Sequence, residues 1–96
     1  MQPVTVILRL DAQDRAATLA LLSRALPVTR RAEGCRHSDT FVDGDDPHGI
    51  MLVQGWDSRE HQSRYIAWRE STGDLAQLLA TLRTPPRIEF LHRDAA

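Results

Sequence analysis

Two side chains near the middle of the chain could contact a small ligand together. Gln54 and Trp56 lie two positions apart in an apolar segment, so in a strand they project to one face, about 7 Å apart at the backbone. Ligand pockets are usually apolar with a few placed polar groups, and an amide beside an indole could bind a phenol or quinone oxygen. The alternative is a core tryptophan beside a glutamine whose hydrogen bonds are satisfied by the backbone.

A stripe of three larger side chains follows this segment. His61, Tyr65 and Trp68 have the spacing i, i+4 and i+7, which places them on one face of a helix. Tyr65 could hydrogen-bond a substrate or act as a catalytic acid, and Trp68 could contact the substrate. An aromatic stripe at this spacing is more often ordinary core packing.

Two predicted strands carry charged or titratable candidates. Arg9 lies in a largely apolar strand and needs a partner if it is buried, because an unpaired internal guanidinium is costly. The partner could be an anionic substrate oxygen, or Glu89 or Asp39 of a neighbouring strand, and we favour the ion pair. His37 and Asp39 share one side of their strand, which is the arrangement of a general base oriented by a carboxylate; exposed polar residues of a strand look the same.

The other reactive side chains form no recognisable site. Cys35 is the single cysteine and is predicted to be a small structural residue rather than a nucleophile. The four histidines lack the spacing of metal ligands, and the turn at 43–49 lacks the alternating ligands of a calcium loop, so no metal site is predicted.

Composition excludes several classes of partner. All twelve basic residues are arginines, thirteen residues are acidic, and no basic tail or strand aromatics indicate binding to nucleic acid. The chain shows neither a charged-then-apolar leader nor an apolar run of membrane-spanning length, so we expect a cytoplasmic protein without membrane contact. Without repeats or linkers, the 96 residues are expected to form one domain spanning positions 1–96.

Hydrophobic periodicity then predicts the elements that must position these residues. Strands are predicted at 3–10, 35–43, 50–56 and 87–92, and helices at 12–26 and 59–69, with a further helical run after Gly73. Asp11 and Ser58 are predicted to cap the helices, and Pro27 is expected to end or bend the first one. The order β-α-β-β-α-β is the ferredoxin-like α+β arrangement, with both helices on one face of a four-stranded antiparallel sheet.

The predicted sheet has no polar face. Strands 3–10 and 50–56 carry apolar side chains on both parities, whereas a sheet with one face in water should alternate. The simplest way to bury the face that the helices leave exposed is to pack a second copy of the same sheet against it. This predicts a homodimer with a cavity between sheet and helices or between subunits.

Three motifs together resemble a known family. They are Glu-Gly-Cys at 33–35, an Asp-rich turn at 43–47 and Trp-Asp-Ser at 56–58. With them the chain resembles the antibiotic biosynthesis monooxygenase (ABM) family of small dimeric α+β barrels over nearly its whole length. The resemblance implies a ferredoxin-like subunit, a dimer and, in some members, cofactor-independent oxidation of quinols or polyaromatic phenols; other members degrade haem or have no established chemistry.

The chain departs from this family pattern at two pocket positions. Many members carry a glutamate two residues before the tryptophan and a histidine nine residues after it, where this chain has Gln54 and Tyr65. The haem-degrading branch has a tryptophan at the position of Tyr65 and a histidine ten residues later, where this chain has Leu75. We therefore expect no haem and no acid/base pair of the usual kind.

The favoured hypothesis is a cofactor-independent monooxygenase-like protein acting on a small aromatic of the quinol or polyphenol type. The substrate's own electrons would reduce dioxygen, so no cofactor is expected, and the protein would supply a dry pocket and hydrogen-bond donors. The predicted substrate contacts are Arg9, Gln54, Trp56, Tyr65 and Trp68, with His37 and Tyr65 as catalytic candidates. The alternative is a non-enzymatic dimeric barrel that binds a small ligand or serves assembly, and the substitutions at the two pocket positions favour it.

Overall fold

The computed structural model describes residues 2–96, which form a four-stranded antiparallel sheet with three helices on one face. The elements are β1 (Val4–Asp11), α1 (Arg15–Arg30), β2 (Cys35–Val42), β3 (Gly49–Trp56), α2 (Arg59–Thr72), α3 (Asp74–Leu79) and β4 (Arg87–Leu91). The strands lie in the order β2-β3-β1-β4, and every neighbouring pair is antiparallel. The predicted ferredoxin-like α+β fold is confirmed, with the second helical region divided into α2 and α3.

The first helix begins and ends later than the sequence predicted. Asp14, not Asp11, caps α1: its side chain accepts a hydrogen bond from the backbone N–H of Ala17. Pro27 does not end the helix, which continues to Arg30. Burial offers the physical reason, because Leu26 and Thr29 on either side of Pro27 are both buried, and packing of such residues can outweigh one missing backbone hydrogen bond.

The second helix has the predicted cap and break. The Ser58 hydroxyl accepts a hydrogen bond from the backbone N–H of His61 at 3.2 Å, which confirms Ser58 as the N-cap of α2. Gly73 has a φ of 82°, a left-handed conformation that costs glycine little, and it separates α2 from α3. Leu78 of the short α3 packs against the core cluster that includes Leu22 of α1 and Leu52 of β3.

The sheet buries one face and leaves the other open. Side chains of β1 and β3 that point towards the helices, such as Val6 and its cross-strand partner Gln54, are buried. The opposite face carries Ile7 and Val53 at its centre, with Phe41 53% and Leu91 48% exposed at its margins. We call this second surface the outer sheet face. It combines apolar residues with charged side chains and remains accessible in the single chain.

Within residues 2–96, no helix has both the length and the apolar character that crossing a membrane requires.

Candidate functional site

A cavity of about 210 Å³ lies between the sheet and the three helices. We call it the inner cavity. Its walls are mainly aliphatic, contributed by Leu8, Leu21, Leu22, Leu26, Leu52, Ile66, Leu75 and Leu78. An apolar protein cavity of roughly 150 Å³ can hold benzene, and pockets for drug-sized ligands begin at about 300 Å³. The inner cavity therefore suits a molecule of one or two rings.

Gln54 is the polar residue that β3 contributes to this cavity. It is buried, its Nε2 donates to Ser38 Oγ at 3.0 Å, and its Oε1 accepts from Trp56 Nε1 at 3.0 Å. Both ends of the amide are thus held by side chains, not by the backbone. Trp56 itself is fully buried and lies behind Gln54 without lining the inner cavity, so its predicted contact with a ligand is indirect.

Tyr65 both packs in the core and lines the inner cavity. Its ring lies between two indoles, with centroid distances of 5.4 Å to Trp56 and 6.0 Å to Trp68. Its hydroxyl is 2.5 Å from Thr29 Oγ1 and accepts a hydrogen bond from Arg69 Nε at 2.7 Å. The packing and ligand-contact interpretations of the aromatic stripe are therefore compatible at this residue.

Arg69 is the residue of the site that the sequence analysis missed. It is only 8% exposed, and its guanidinium donates to three groups. Nε binds the Tyr65 hydroxyl, Nη1 binds Asp74 Oδ2 at 2.8 Å, and Nη2 binds the Ala25 carbonyl at 2.7 Å. A buried cation is tolerated only with such partners. The signal was present in the spacing, because Arg69 follows Tyr65 by four residues and so continues its helical stripe.

Arg9 and His37 lie on the outer sheet face, so the structure does not bring them to the inner cavity with Gln54. Arg9 pairs with Met51 across the sheet while Gln54 pairs with Val6, and these positions have opposite parity. A strand directs alternate side chains to opposite faces, which keeps the two groups apart.

Each of these two residues has a carboxylate partner. Arg9 Nε donates to Glu89 Oε1 at 3.0 Å, so the favoured ion pair is confirmed. His37 Nδ1 lies 2.9 Å from Asp39 Oδ2, and both side chains are exposed. The predicted His-Asp arrangement is present, but on a surface remote from the cavity.

Trp68 belongs to a different concavity. An open groove of about 460 Å³ runs along the end of α1 and the start of α2, where Trp68 is 49% exposed. Arg31, Arg64 and His61 also line this groove, and Tyr65 forms a wall shared with the inner cavity. The structure therefore does not bring Trp68, a predicted substrate contact, to the inner cavity.

The surroundings of the Cys35 thiol favour its protonated form. Burial raises the pKa of the Cys35 thiol, with Arg30 and the backbone near His37 acting in the opposite direction, so the thiol is mainly protonated at neutral pH. Among residues 2–96, no three His, Cys, Asp or Glu side chains are placed to hold a metal ion together.

The family model described as antibiotic biosynthesis monooxygenase matches residues 1–76. The chain belongs to this family. The matched segment contains Gln54, Tyr65, Arg69 and Asp74, so most of the polar wall of the inner cavity lies within the part shared with the ABM family. A comparison with curated proteins gives no significant match.

Solved structures of similar proteins share the fold over the whole chain. Rv0793 from Mycobacterium tuberculosis has a TM-score of 0.84 and 26% identity, covering 99% of this chain and 100% of its own. SnoaB from Streptomyces nogalater, a cofactor-independent oxygenase, has a TM-score of 0.85 and 13% identity, covering 100% and 97%. PA3566 from Pseudomonas aeruginosa has a TM-score of 0.81 and 21% identity, covering 99% and 97%.

The residues of the inner cavity do not fit haem. Haem iron is held by histidine, cysteine, methionine or tyrosine side chains. Leu75, at the position where the haem-degrading branch of the family would place a histidine, gives the cavity an aliphatic wall. The Tyr65 hydroxyl is already bound by Thr29 and Arg69.

Proposed function

We propose that this protein is a cofactor-independent monooxygenase-like enzyme that oxidises a small phenolic aromatic in the inner cavity. Membership of the ABM family supports the reaction class. The observation that carries the proposal is the cavity itself, which has aliphatic walls and a polar cluster of Gln54, Tyr65 and Arg69. Apolar walls with a few placed polar groups are typical of sites for small aromatic ligands.

The polar cluster has hydrogen-bonding capacity left for a substrate. Within residues 2–96, the Gln54 amide donates one of its two N–H groups, to Ser38, so the second can bind a phenolic oxygen. Thr29 Oγ1 donates to the Ala25 carbonyl, so the Tyr65 O–H is the donor to Thr29. The Tyr65 oxygen accepts from Arg69 and then retains a lone pair for a substrate hydroxyl. These two groups would orient the phenol ring while the leucine walls exclude water.

The proposed reaction needs only the substrate and dioxygen. For 1-naphthol, the carbon para to the hydroxyl loses its hydrogen and gains one oxygen atom, and the hydroxyl loses its proton. The two hydrogens leave with the second oxygen atom as water, giving 1,4-naphthoquinone. The four electrons that reduce dioxygen come from the ring, and the protein contributes position and a dry environment.

The test is oxidation of 1-naphthol under ¹⁸O₂, with the quinone examined by mass spectrometry. We expect one heavy oxygen in the quinone and one in water. Leu78→Trp fills the inner cavity and should abolish the reaction, whereas Leu79→Trp on the exposed side of α3 should preserve it. Quinone without heavy oxygen, or equal activity in the two variants, would contradict the proposal.

A second candidate function is non-enzymatic binding of a small ligand. The observation in its favour is the absence of a free base: among the described residues that line the inner cavity, Asp74 is the carboxylate, it is paired with Arg69, and no histidine is present. Catalysis of proton removal usually needs such a base. Saturable 1-naphthol binding without oxygen consumption would favour this candidate.

We also propose that the protein is a homodimer joined through the outer sheet face. The support is the apolar surface of Ile7, Val53, Phe41 and Leu91, which a single chain leaves accessible. Apolar patches of this kind commonly mark protein interfaces, and closed two-fold dimers are the commonest oligomers.

A further inference from the structure

The inner cavity contains a buried cation whose carboxylate partner is mostly in contact with water. We propose that the substrate is an aromatic acid, and that its carboxylate binds Arg69 in place of Asp74. This inference rests on the proposed function, since it concerns the same cavity, and it narrows the substrate class from phenolic aromatics to those that carry an anionic group.

The guanidinium of Arg69 is located at the cavity wall. Its three partners, Tyr65, Ala25 and Asp74, all line the inner cavity together with Arg69 itself. A guanidinium has five N–H groups, and three are used by these partners among residues 2–96. Two N–H groups therefore remain for a ligand. Carboxylates are the acceptors that match guanidinium geometry best.

Two of the three partners hold the guanidinium in place. The Tyr65 hydroxyl and the Ala25 carbonyl belong to α2 and α1, which pack against the sheet, and their distances to Arg69 are both 2.7 Å. These contacts fix the position of the cation without neutralising it. The charge is balanced by Asp74 alone among the partners, so the occupant of that position can change while the cation stays.

Asp74 is suited to being displaced. Its side chain is 52% exposed, and it is the first residue of α3, directly after the left-handed Gly73. None of the residues of α3 is buried. A carboxylate that is already half in water needs little change in hydration to rotate fully into it, although its bond to the buried Arg69 must then be replaced. If a ligand carboxylate takes its place, the buried cation is never left unpaired.

The rest of the cavity agrees with an acid attached to a ring system. Arg24 lies at the exposed margin of the inner cavity and adds a second positive charge there. The aliphatic walls are supplied by α1, α3 and the sheet, and they leave space for one or two rings. A ring that fills the apolar part would place a ring carboxylate near Arg69, where removal of water strengthens the ion pair.

The experiment compares two ligands of nearly equal shape by calorimetry, 1-hydroxy-2-naphthoate and 1-hydroxy-2-naphthamide. The wild-type protein should bind the acid about tenfold more tightly than the amide, the scale of a charge-assisted hydrogen bond over a neutral one. Asp74→Asn removes the competing carboxylate and should raise the affinity for the acid severalfold, with little change for the amide.

Glu70→Gln is the matched control, because it removes the same charge from the exposed end of α2 without lining the cavity. It should leave the acid and amide affinities unchanged. Arg69→Gln should abolish the preference for the acid. If this variant does not fold, the comparison of Asp74→Asn with Glu70→Gln still tests whether Asp74 competes with the ligand carboxylate for Arg69.

Three results would overturn the inference: equal affinity of wild-type protein for acid and amide, binding of neither, or weaker acid binding in Asp74→Asn than in wild type. The proposed function is judged separately by the ¹⁸O₂ assay. Oxidation of 1-naphthol without a preference for the acid would remove only the inference. Tight binding of the acid, with no oxygen consumed when either 1-naphthol or the acid is the substrate, would remove only the monooxygenase proposal.

Discussion

At the scale of single residues, Arg69 connects the packing of the helices to the chemistry of the inner cavity. Its guanidinium joins α2 to the Ala25 carbonyl of α1 and to Asp74 of α3. Tyr65 lies between this cation and Thr29, so the phenol hydroxyl is held in position before any ligand binds. A hydroxyl that is already oriented costs less to order when a substrate arrives.

The Tyr65→Phe variant tests this arrangement at the level of one oxygen atom. The ring should keep its contacts with Trp56 and Trp68, while Arg69 Nε loses its partner inside the protein. We expect a loss of about 1–3 kcal/mol in the free energy of unfolding, the cost of an unsatisfied buried donor. Urea denaturation measures this, and calorimetry with 1-naphthol should show weaker binding.

Trp68→Phe is the control for this prediction, since Trp68 is half exposed and makes no contact with the inner cavity. It should change the unfolding free energy less than Tyr65→Phe does. If Tyr65→Phe leaves stability, affinity and turnover as they are in the wild type, the aromatic stripe of α2 acts in packing alone.

At the scale of elements, the course of α1 beyond Pro27 sets the position of one cavity wall. Leu26 and Thr29 both line the inner cavity, and Thr29, which follows the proline, would be displaced if the helix ended there. Of the two predicted effects of Pro27, ending the helix is contradicted, and the burial of these neighbours is a contact that local sequence does not show. Helix propensity is a weak signal that tertiary packing overrides.

Pro27→Ala should therefore stabilise the protein. Alanine restores a backbone N–H to the interior of α1 and removes the clash of the ring with the preceding turn. Pro27 is exposed, so no packing is lost. We expect a gain of about 1–3 kcal/mol in the free energy of unfolding, measured by urea denaturation.

The nearby Ala25→Gly substitution is a useful contrast to Pro27→Ala, because glycine in a helix interior should destabilise by about 1 kcal/mol. A Pro27→Ala protein that is less stable than the wild type would show that the geometry imposed by proline is required for the packing of α1.

At the scale of the whole molecule, the two faces of the sheet differ in what they contact and in which residues they carry. The inner face forms the core and the cavity wall with the helices. The outer sheet face holds apolar residues together with the Arg9–Glu89 ion pair and the His37–Asp39 pair. In the proposed homodimer these charged pairs would lie at the interface, where they could fix the register of the two sheets.

The dimer is tested by light scattering after size exclusion. The chain has a mass of 10.8 kDa, and the wild-type protein should show about twice that value. Val53→Glu places a charge in the centre of the outer sheet face and should give a monomer, because an unpaired charge in an apolar interface is costly. Leu79→Glu, at an exposed apolar position on the helix side, should leave the dimer intact.

A stable wild-type monomer would contradict this proposal and leave the exposed apolar residues of the outer sheet face without an explanation. A dimer disrupted by Leu79→Glu but not by Val53→Glu would place the interface on the helices.

The sequence by itself determined the features that depend on neighbouring residues. The order of strands and helices, the cap at Ser58 and the break at Gly73 follow from periodicity and local backbone chemistry, and the structure confirms them. The pairing of Arg9 with Glu89 could also be predicted from the sequence, because strand order limits the possible partners.

Only the tertiary structure decided which of these residues meet in the cavity. Side chains alternate between the two faces along each strand, so Arg9 and Gln54 lie on opposite faces of the sheet once the strands are paired. The packing of the helices determines which of these faces is buried. Arg69 reaches Ala25, 44 residues away, only because α1 and α2 lie on the same face of the sheet. Contacts across such separations depend on helix packing, which no local pattern specifies.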